Sequence, residues 1–309
     1  MRKMTSFQVV SRAADVATGM SSTTIWIGSL VCLLIPAIAM AQTNFVASSG
    51  DYFDAANWDN GVPTSGNPGT IDSGEALGTP DGSNYMDNHD LIINGGKLNS
   101  DQGWKMRNSN ITQNGGLMEQ RLFVGWGQGA GAGTSTYTLN DGQISIANGM
   151  HLGRFQPATF NQNGGTVTVL AHPAGRLMIG EMEPATYNFA GGILHTDRFD
   201  IEQEANAVGN TFFNFTEDST GVLYVLTNDD PTKPANPGNR NAADIESLIN
   251  RGVITLGGEP TSPSSFSITE LTTGVYAGFT ETKRIPEPST CALVVLGLLS
   301  IFVAPQRRR

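Results

Sequence analysis

Hydrophobic positions in the central part of the chain come in short alternating bursts broken by glycine, rather than in long helical runs. Five of these bursts align with one another: Leu91-Ile-Ile-Asn-Gly-Gly-Lys-Leu98, Ile111-Thr-Gln-Asn-Gly-Gly-Leu-Met118, Tyr137-Thr-Leu-Asn-Asp-Gly-Gln-Ile144, Phe160-Asn-Gln-Asn-Gly-Gly-Thr-Val167 and Tyr187-Asn-Phe-Ala-Gly-Gly-Ile-Leu194. Their anchoring glycines, Gly96, Gly116, Gly142, Gly165 and Gly192, are 20, 26, 23 and 27 residues apart. Five residues before each glycine stands a large apolar side chain, and two after it stands another. Alternation of period two marks a half-buried strand. The two apolar positions are seven apart, an odd number, so one flat strand cannot turn both to the same face. A corner at the glycine, where positive φ costs little, restores the parity and divides the unit into two strands. A second short motif follows the corner in Phe123-Val-Gly125, His151-Leu-Gly153 and Met178-Ile-Gly180. Each repeat thus supplies two or three short strands.

Units of this size cannot bury a core alone, and stacking them gives a solenoid. The expected fold is therefore all-β, a parallel β-solenoid (β-helix-like) with glycine-paced repeats over residues 90–196. In it, equivalent apolar residues form ladders along the axis, and Asn114, Asn140 and Asn163 stack at the corners. A β-sandwich or barrel of hairpins is the rival, because Asn-Gly also closes hairpins. Residues 42–89 read as an N-terminal cap segment. In Asp51-Tyr-Phe-Asp-Ala-Ala-Asn-Trp-Asp-Asn-Gly-Val-Pro63, Trp58 is expected to cover the open apolar end of the first repeat, as terminal caps must; stacking on a sugar is its functional alternative. Residues 197–284 read as a small β-rich cap with one short helix. Ile245, Leu248 and Ile249 at helical spacing place that helix over Asn241–Arg251, and Gly252 stops it.

Composition agrees with a turn-rich β protein: 37 glycines in 309 residues, with only 15% charged residues. Both cysteines, Cys32 and Cys291, lie in apolar terminal segments, so residues 42–286 have no disulfide and no cysteine zinc site. That span carries 12 basic and 26 acidic side chains, a net of −14. Nucleic acid is a poor partner for such a balance, since affinity there comes mainly from Lys and Arg on phosphates.

The two ends have a different character. Arg2 and Lys3 precede an apolar core from Ile25 to Ala39, and Ala39-Met40-Ala41 before Gln42 is a small-x-small exit. Residues 1–41 are read as a secretory signal peptide cut after Ala41, with the general secretion machinery and a signal peptidase as partners. A stable anchor helix is the alternative. At the other end, Pro286-Glu287-Pro288 leads into an apolar run from Cys291 to Ala304, followed by Arg307, Arg308 and Arg309. Fourteen residues of helix reach about 21 Å, short of a hydrocarbon core of about 30 Å. Such a run suits transient insertion, with the arginines holding the extreme C-terminus on the cytoplasmic side.

Pro-Glu-Pro, a short apolar helix and an arginine cluster, in that order over residues 285–309, resemble the PEP-CTERM sorting signal of Gram-negative bacteria. The resemblance implies processing near the Pro-Glu-Pro by an exosortase-type membrane protease, and delivery to the cell surface or outside the cell. It implies a route, not a chemistry. The repeats over about residues 90–196 loosely resemble the autotransporter-associated β repeats often found in such exported proteins, and the segment around Trp58 is similar to an opening seen on the same class.

Candidate chemistry is sparse. The four histidines are scattered, and no His-Glu-x-x-His, Gly-x-Ser-x-Gly or phosphate-cradling motif occurs. The densest polar stretch is His195-Thr-Asp-Arg-Phe-Asp-Ile-Glu-Gln-Glu204. On a strand, Arg198, Asp200, Glu202 and Glu204 face one way, and Phe199 and Ile201 the other. Clustered acids on a strand suit polysaccharide hydrolysis, while a solvated edge face is the plainer reading. Asp51, Asp54 and Asp59 do not fit a calcium-loop pattern and read as turn residues; calcium is conceivable but unsupported, and no cofactor is expected. Two functions follow. One is a non-catalytic surface or matrix protein associated with extracellular polysaccharide. The other is a secreted carbohydrate-active enzyme or binder working through Asp200 and Glu202, or through exposed Trp104 and Trp126.

Overall fold

The computed structural model describes residues 42–127, 133–170, 176–201, 209–227 and 240–286. Ala39, Ala41, Glu202, Glu287, Pro288, Arg307, Arg308 and Arg309 lie outside them. The described chain is a parallel β-solenoid of about six turns, not a sandwich.

Each full turn contributes strands to three faces. The first face stacks Gly69–Ile71, Asp90–Ile93, Asn110–Gln113, Ser135–Leu139, Ala158–Gln162, Ala185–Phe189 and Phe212–Phe215, all in parallel register. After the glycine corner, Glu75–Leu77, Lys97–Asn99 and their successors form the second face. The third face is built from Tyr85–Asp87, Trp104–Arg107, the ends of Leu117–Val124 and Gln143–Leu152, then Leu177–Ile179 and Phe199–Ile201. The Phe-Val-Gly type motifs recognised in the sequence therefore have a face of their own.

Both apolar positions of the repeat become inward ladders. Leu91, Ile111, Tyr137, Phe160, Tyr187 and Phe213 stand in register on the first face. Their rings follow one another at centroid distances of 5.2, 4.8 and 5.0 Å from Tyr137 to Phe213, contacts each worth about 1 kcal/mol beyond area burial. Leu98, Met118, Ile144, Val167 and Leu194 form the matching ladder on the second face.

Tyrosine in such a core needs a partner for its hydroxyl, and the neighbouring inward position of the turn before supplies one. Tyr137 donates to Gln113 Oε1 at 2.6 Å, and Tyr187 to Gln162 Oε1 at 2.5 Å. The glutamine amides donate in turn to backbone carbonyls of Gly116 and Gln143, and of Gly165 and Ile193. Burial pushes both tyrosines well above the usual phenol range, so they stay neutral.

At the corners the expected amide ladder exists. Asn163, Asn140, Asn114 and Asn94 each donate to the side chain one turn earlier at 2.8–2.9 Å, ending on Asp72. A second outward ladder joins Asn214, Asn188 and Asn161.

The coils run further than the five aligned segments. Gly69–Ile71 already begins one turn, and Phe212–Phe215 with Val222–Leu226 begins another. Trp58 is buried against Phe45 and Tyr52, its indole donating to the Tyr52 carbonyl at 2.7 Å. At the opposite end stands the helix Ala242–Asn250, closed by a reciprocal cap between Asn241 and Asp244 and burying Ile245, Leu248 and Ile249. The chain then changes direction: Phe266–Leu271 and Phe279–Arg284 form an antiparallel pair that lies on Val222–Leu226.

Candidate functional site

The third face has an outer layer that the sequence does not announce. Its outward register column runs Tyr85, Lys105, Phe123, His151, Met178 and Asp200. Phe123, His151, Met178 and Asp200 are each 5% exposed or less although they point away from the core. Longer side chains from the flanking corners cover them. One step before the strand, Arg121, Arg176 and Arg198 occupy equivalent positions, as the backbone bonds Met150 N to Arg176 O and Leu177 N to Arg198 O require. After the strand and its glycine come Trp126, Arg154 and Glu181. Gly125 and Gly153 take φ of +85° and +70°, and a Cβ on either would stand 2.3 Å from a backbone oxygen of the next turn. Only glycine lets the chain turn there, and the turn sets Trp126 and Arg154 on the surface.

Cations and rings interleave across this layer. The Arg154 guanidinium lies 4.5 Å from the Trp126 ring and 5.5 Å from Phe155, and Arg121 lies 4.8 Å from Phe123. Lys105 sits over Tyr85 at 4.9 Å and Trp126 at 5.8 Å. His151 Nδ1 is 2.7 Å from Glu181, which also meets Arg154 at 3.4 Å. Burial holds His151 below the ordinary imidazole range in spite of that carboxylate. For Glu181, burial acts to raise the pKa, but the His151 hydrogen bond and the charges of His151, Arg154 and Arg176 outweigh it and hold the carboxyl low.

Asp200 is buried and paired with Arg198 at 3.3 Å and Arg240 at 4.0 Å. It faces outward as the alternation implied, with Phe199 and Ile201 inward, but it is a tied carboxylate rather than a solvated one. Trp104 is fully buried beside Tyr52, at 5.3 Å, and offers no ring face to a sugar. Trp126, by contrast, is half-buried in the Arg154 layer. Gln42 is exposed and leads directly into the first strand, while exposed Pro286 follows the last one.

Comparison of the chain with protein-family models, with curated proteins and with solved structures finds no match.

Among the described residues no group of three or more His, Cys, Asp or Glu side chains is placed to hold a metal ion, and no helix is long and apolar enough to cross a membrane. Asp51 and Asp54 accept backbone amides two residues on, of Phe53 and Ala56, as turn residues do, whereas Asp59 accepts from the backbone and side chain of Asn44 on the first strand. An open recess of about 170 Å³ is lined by Leu77, Gly78, Asn99, Ser100 and Asp101, a single carboxyl among them. The arginine column is the feature of this face that the sequence pattern did not reveal. Its signal is present as Arg121-Leu-Phe-Val-Gly125 and Arg176-Leu-Met-Ile-Gly180, an arginine four residues before the third-face glycine.

Proposed function

We propose that this chain is an exported, non-catalytic cell-surface or matrix protein, processed by an exosortase-type protease and associated with extracellular polysaccharide. The observation that carries the route is the succession Pro286-Glu287-Pro288, a 14-residue apolar run and Arg307–Arg309, opposite a signal-peptide pattern ending at Ala41. The body suits the role. A thiol-free solenoid held by parallel ladders needs no oxidising help to fold, and its polar ladders present the same groups turn after turn. The membrane, in this reading, is met only in transit through the C-terminal apolar run.

Intact-mass measurement on the protein recovered from its native host tests the route. The expected mass lacks residues 1–41 and the segment beyond the Pro-Glu-Pro. A chain found whole in the cytosol, or a surface form that keeps Arg307–Arg309, overturns it.

A further inference from the structure

Five of the eleven described Lys and Arg side chains of this acidic body gather along one side. Lys105 on the third face, and Arg121, Arg154, Arg176 and Arg198 at its flanking corners, fall one to a turn in successive turns. Strand neighbours lie about 4.8 Å apart, so Arg176 and Arg198 stand one turn apart in one column, and Arg121 lies two turns from Arg176 across Gly149. Lys105, Arg121 and Arg176 have no carboxylate within ion-pair distance among the described residues. Glu181 and Asp200, the acids of the same layer, are already shared among His151, Arg154, Arg198 and Arg240. Arg121, Arg154 and Arg198 also leave their buried Nε atoms without a hydrogen-bond partner. Arg121 is held below the ordinary guanidinium range by burial and then by repulsion from Arg154 and Arg176; Lys105 is lowered by burial and then by Arg121. Stacked like charges weaken a fold unless something outside neutralises them.

We propose that this face binds an acidic polysaccharide lengthwise, with the arginine column on its carboxylates and Trp126 and Phe155 against its sugar rings. The inference rests on the polysaccharide association proposed above and names its class. Arginine forks suit planar carboxylates, and an aromatic ring with a polar rim suits the apolar face of a pyranose. Nucleic acid carries the same sign of charge but far more of it, about one charge per 1.7 Å of duplex. A body of net −14 repels such a polymer, whereas a chain with one carboxylate per ring matches a sparse column of cations.

The test uses the full-length protein with polygalacturonate, neutral dextran and single-stranded DNA as probes in affinity electrophoresis. Polygalacturonate is expected to retard the protein, less so as salt rises. The Arg121→Gln/Arg154→Gln/Arg176→Gln variant is expected to weaken binding about tenfold or more, and a Lys283→Gln/Arg284→Gln control of similar charge change by less than about twofold. Circular dichroism melts establish that both variants are folded. Should the triple variant unfold, Lys105→Gln alone is expected to weaken binding about threefold. Equal loss in variant and control, DNA bound as tightly as polygalacturonate, or no retardation by polygalacturonate would each overturn the assignment. Retardation by dextran alone leaves the association with polysaccharide standing and removes only its acidic class. Failure of export shows in the intact mass, independently of these gels.

Discussion

His89 is 8% exposed, its Nδ1 3.0 Å from the Tyr52 hydroxyl and its ring 5.8 Å from that of Tyr52. Burial pushes its pKa down to about 4, against the opposing charges of Asp87 and Asp90. The unfolded chain takes up this proton near pH 6.5 and the native state only near pH 4. Between those values the unfolded state binds more protons, so stability falls as the pH drops through the window and is intact above it. The full contribution is on the order of 3 kcal/mol. Thermal melts from pH 7 to 4 are expected to fall for the native sequence and to fall less for His89→Gln. A constant offset between the two curves across that window would mean that another group titrates there. His151, lowered by its own burial, accounts for slope that remains. At this scale the sequence is least legible. Trp104 and Trp126 look alike on paper, yet one lies in an inward register and the other beyond a glycine corner. The difference is a matter of parity that becomes visible only once the strand bounds are known.

The corner is the element that converts pattern into fold. Gly116 has φ of +71°, and a Cβ there would stand 2.5 Å from Gly96 O and 2.7 Å from Gly95 O. Two costs coincide: a strained backbone and a collision with the turn below, which is itself backbone and cannot rotate away. Gly258 has φ of +86° with nothing within 4 Å of the same position, so only the first cost applies. Gly116→Ala is expected to lose roughly 3–4 kcal/mol and Gly258→Ala about 1 kcal/mol, measured by denaturant titration. Similar losses at both would show that φ, not close approach, governs the corners. This constraint is why the solenoid was readable from glycine spacing. Such stacked backbone leaves no room for a side chain, and the requirement recurs on every turn. The third face was less readable because its cation position is filled irregularly, by Arg121, Gly149, Arg176 and Arg198 in turn.

A stacked β array has an unpaired edge at each end, and the whole molecule depends on how those edges are covered. On the second face Val222–Leu226 would be the final strand. Instead Phe279–Arg284 pairs with it antiparallel over five positions, and Phe266–Leu271 pairs outside that. The hairpin interrupts the parallel register that every earlier turn shares. Its outermost strand keeps Phe266 inward and leaves Thr269 and Glu270 exposed, a poor template for another chain. The sequence indicated a β-rich cap here but not this reversal, because alternation says nothing about strand direction. A chain ending at Thr261 retains the six full turns and the helix but bares the edge of Val222–Leu226, whose Leu223 and Val225 belong to the core. Light scattering after size exclusion should find the intact chain unchanged by dilution and the shortened one associating as concentration rises. If the shortened chain stays monomeric with an undiminished melt, the hairpin is an appendage, and the helix Ala242–Asn250 with Ile254–Leu256 is the true terminus of the solenoid.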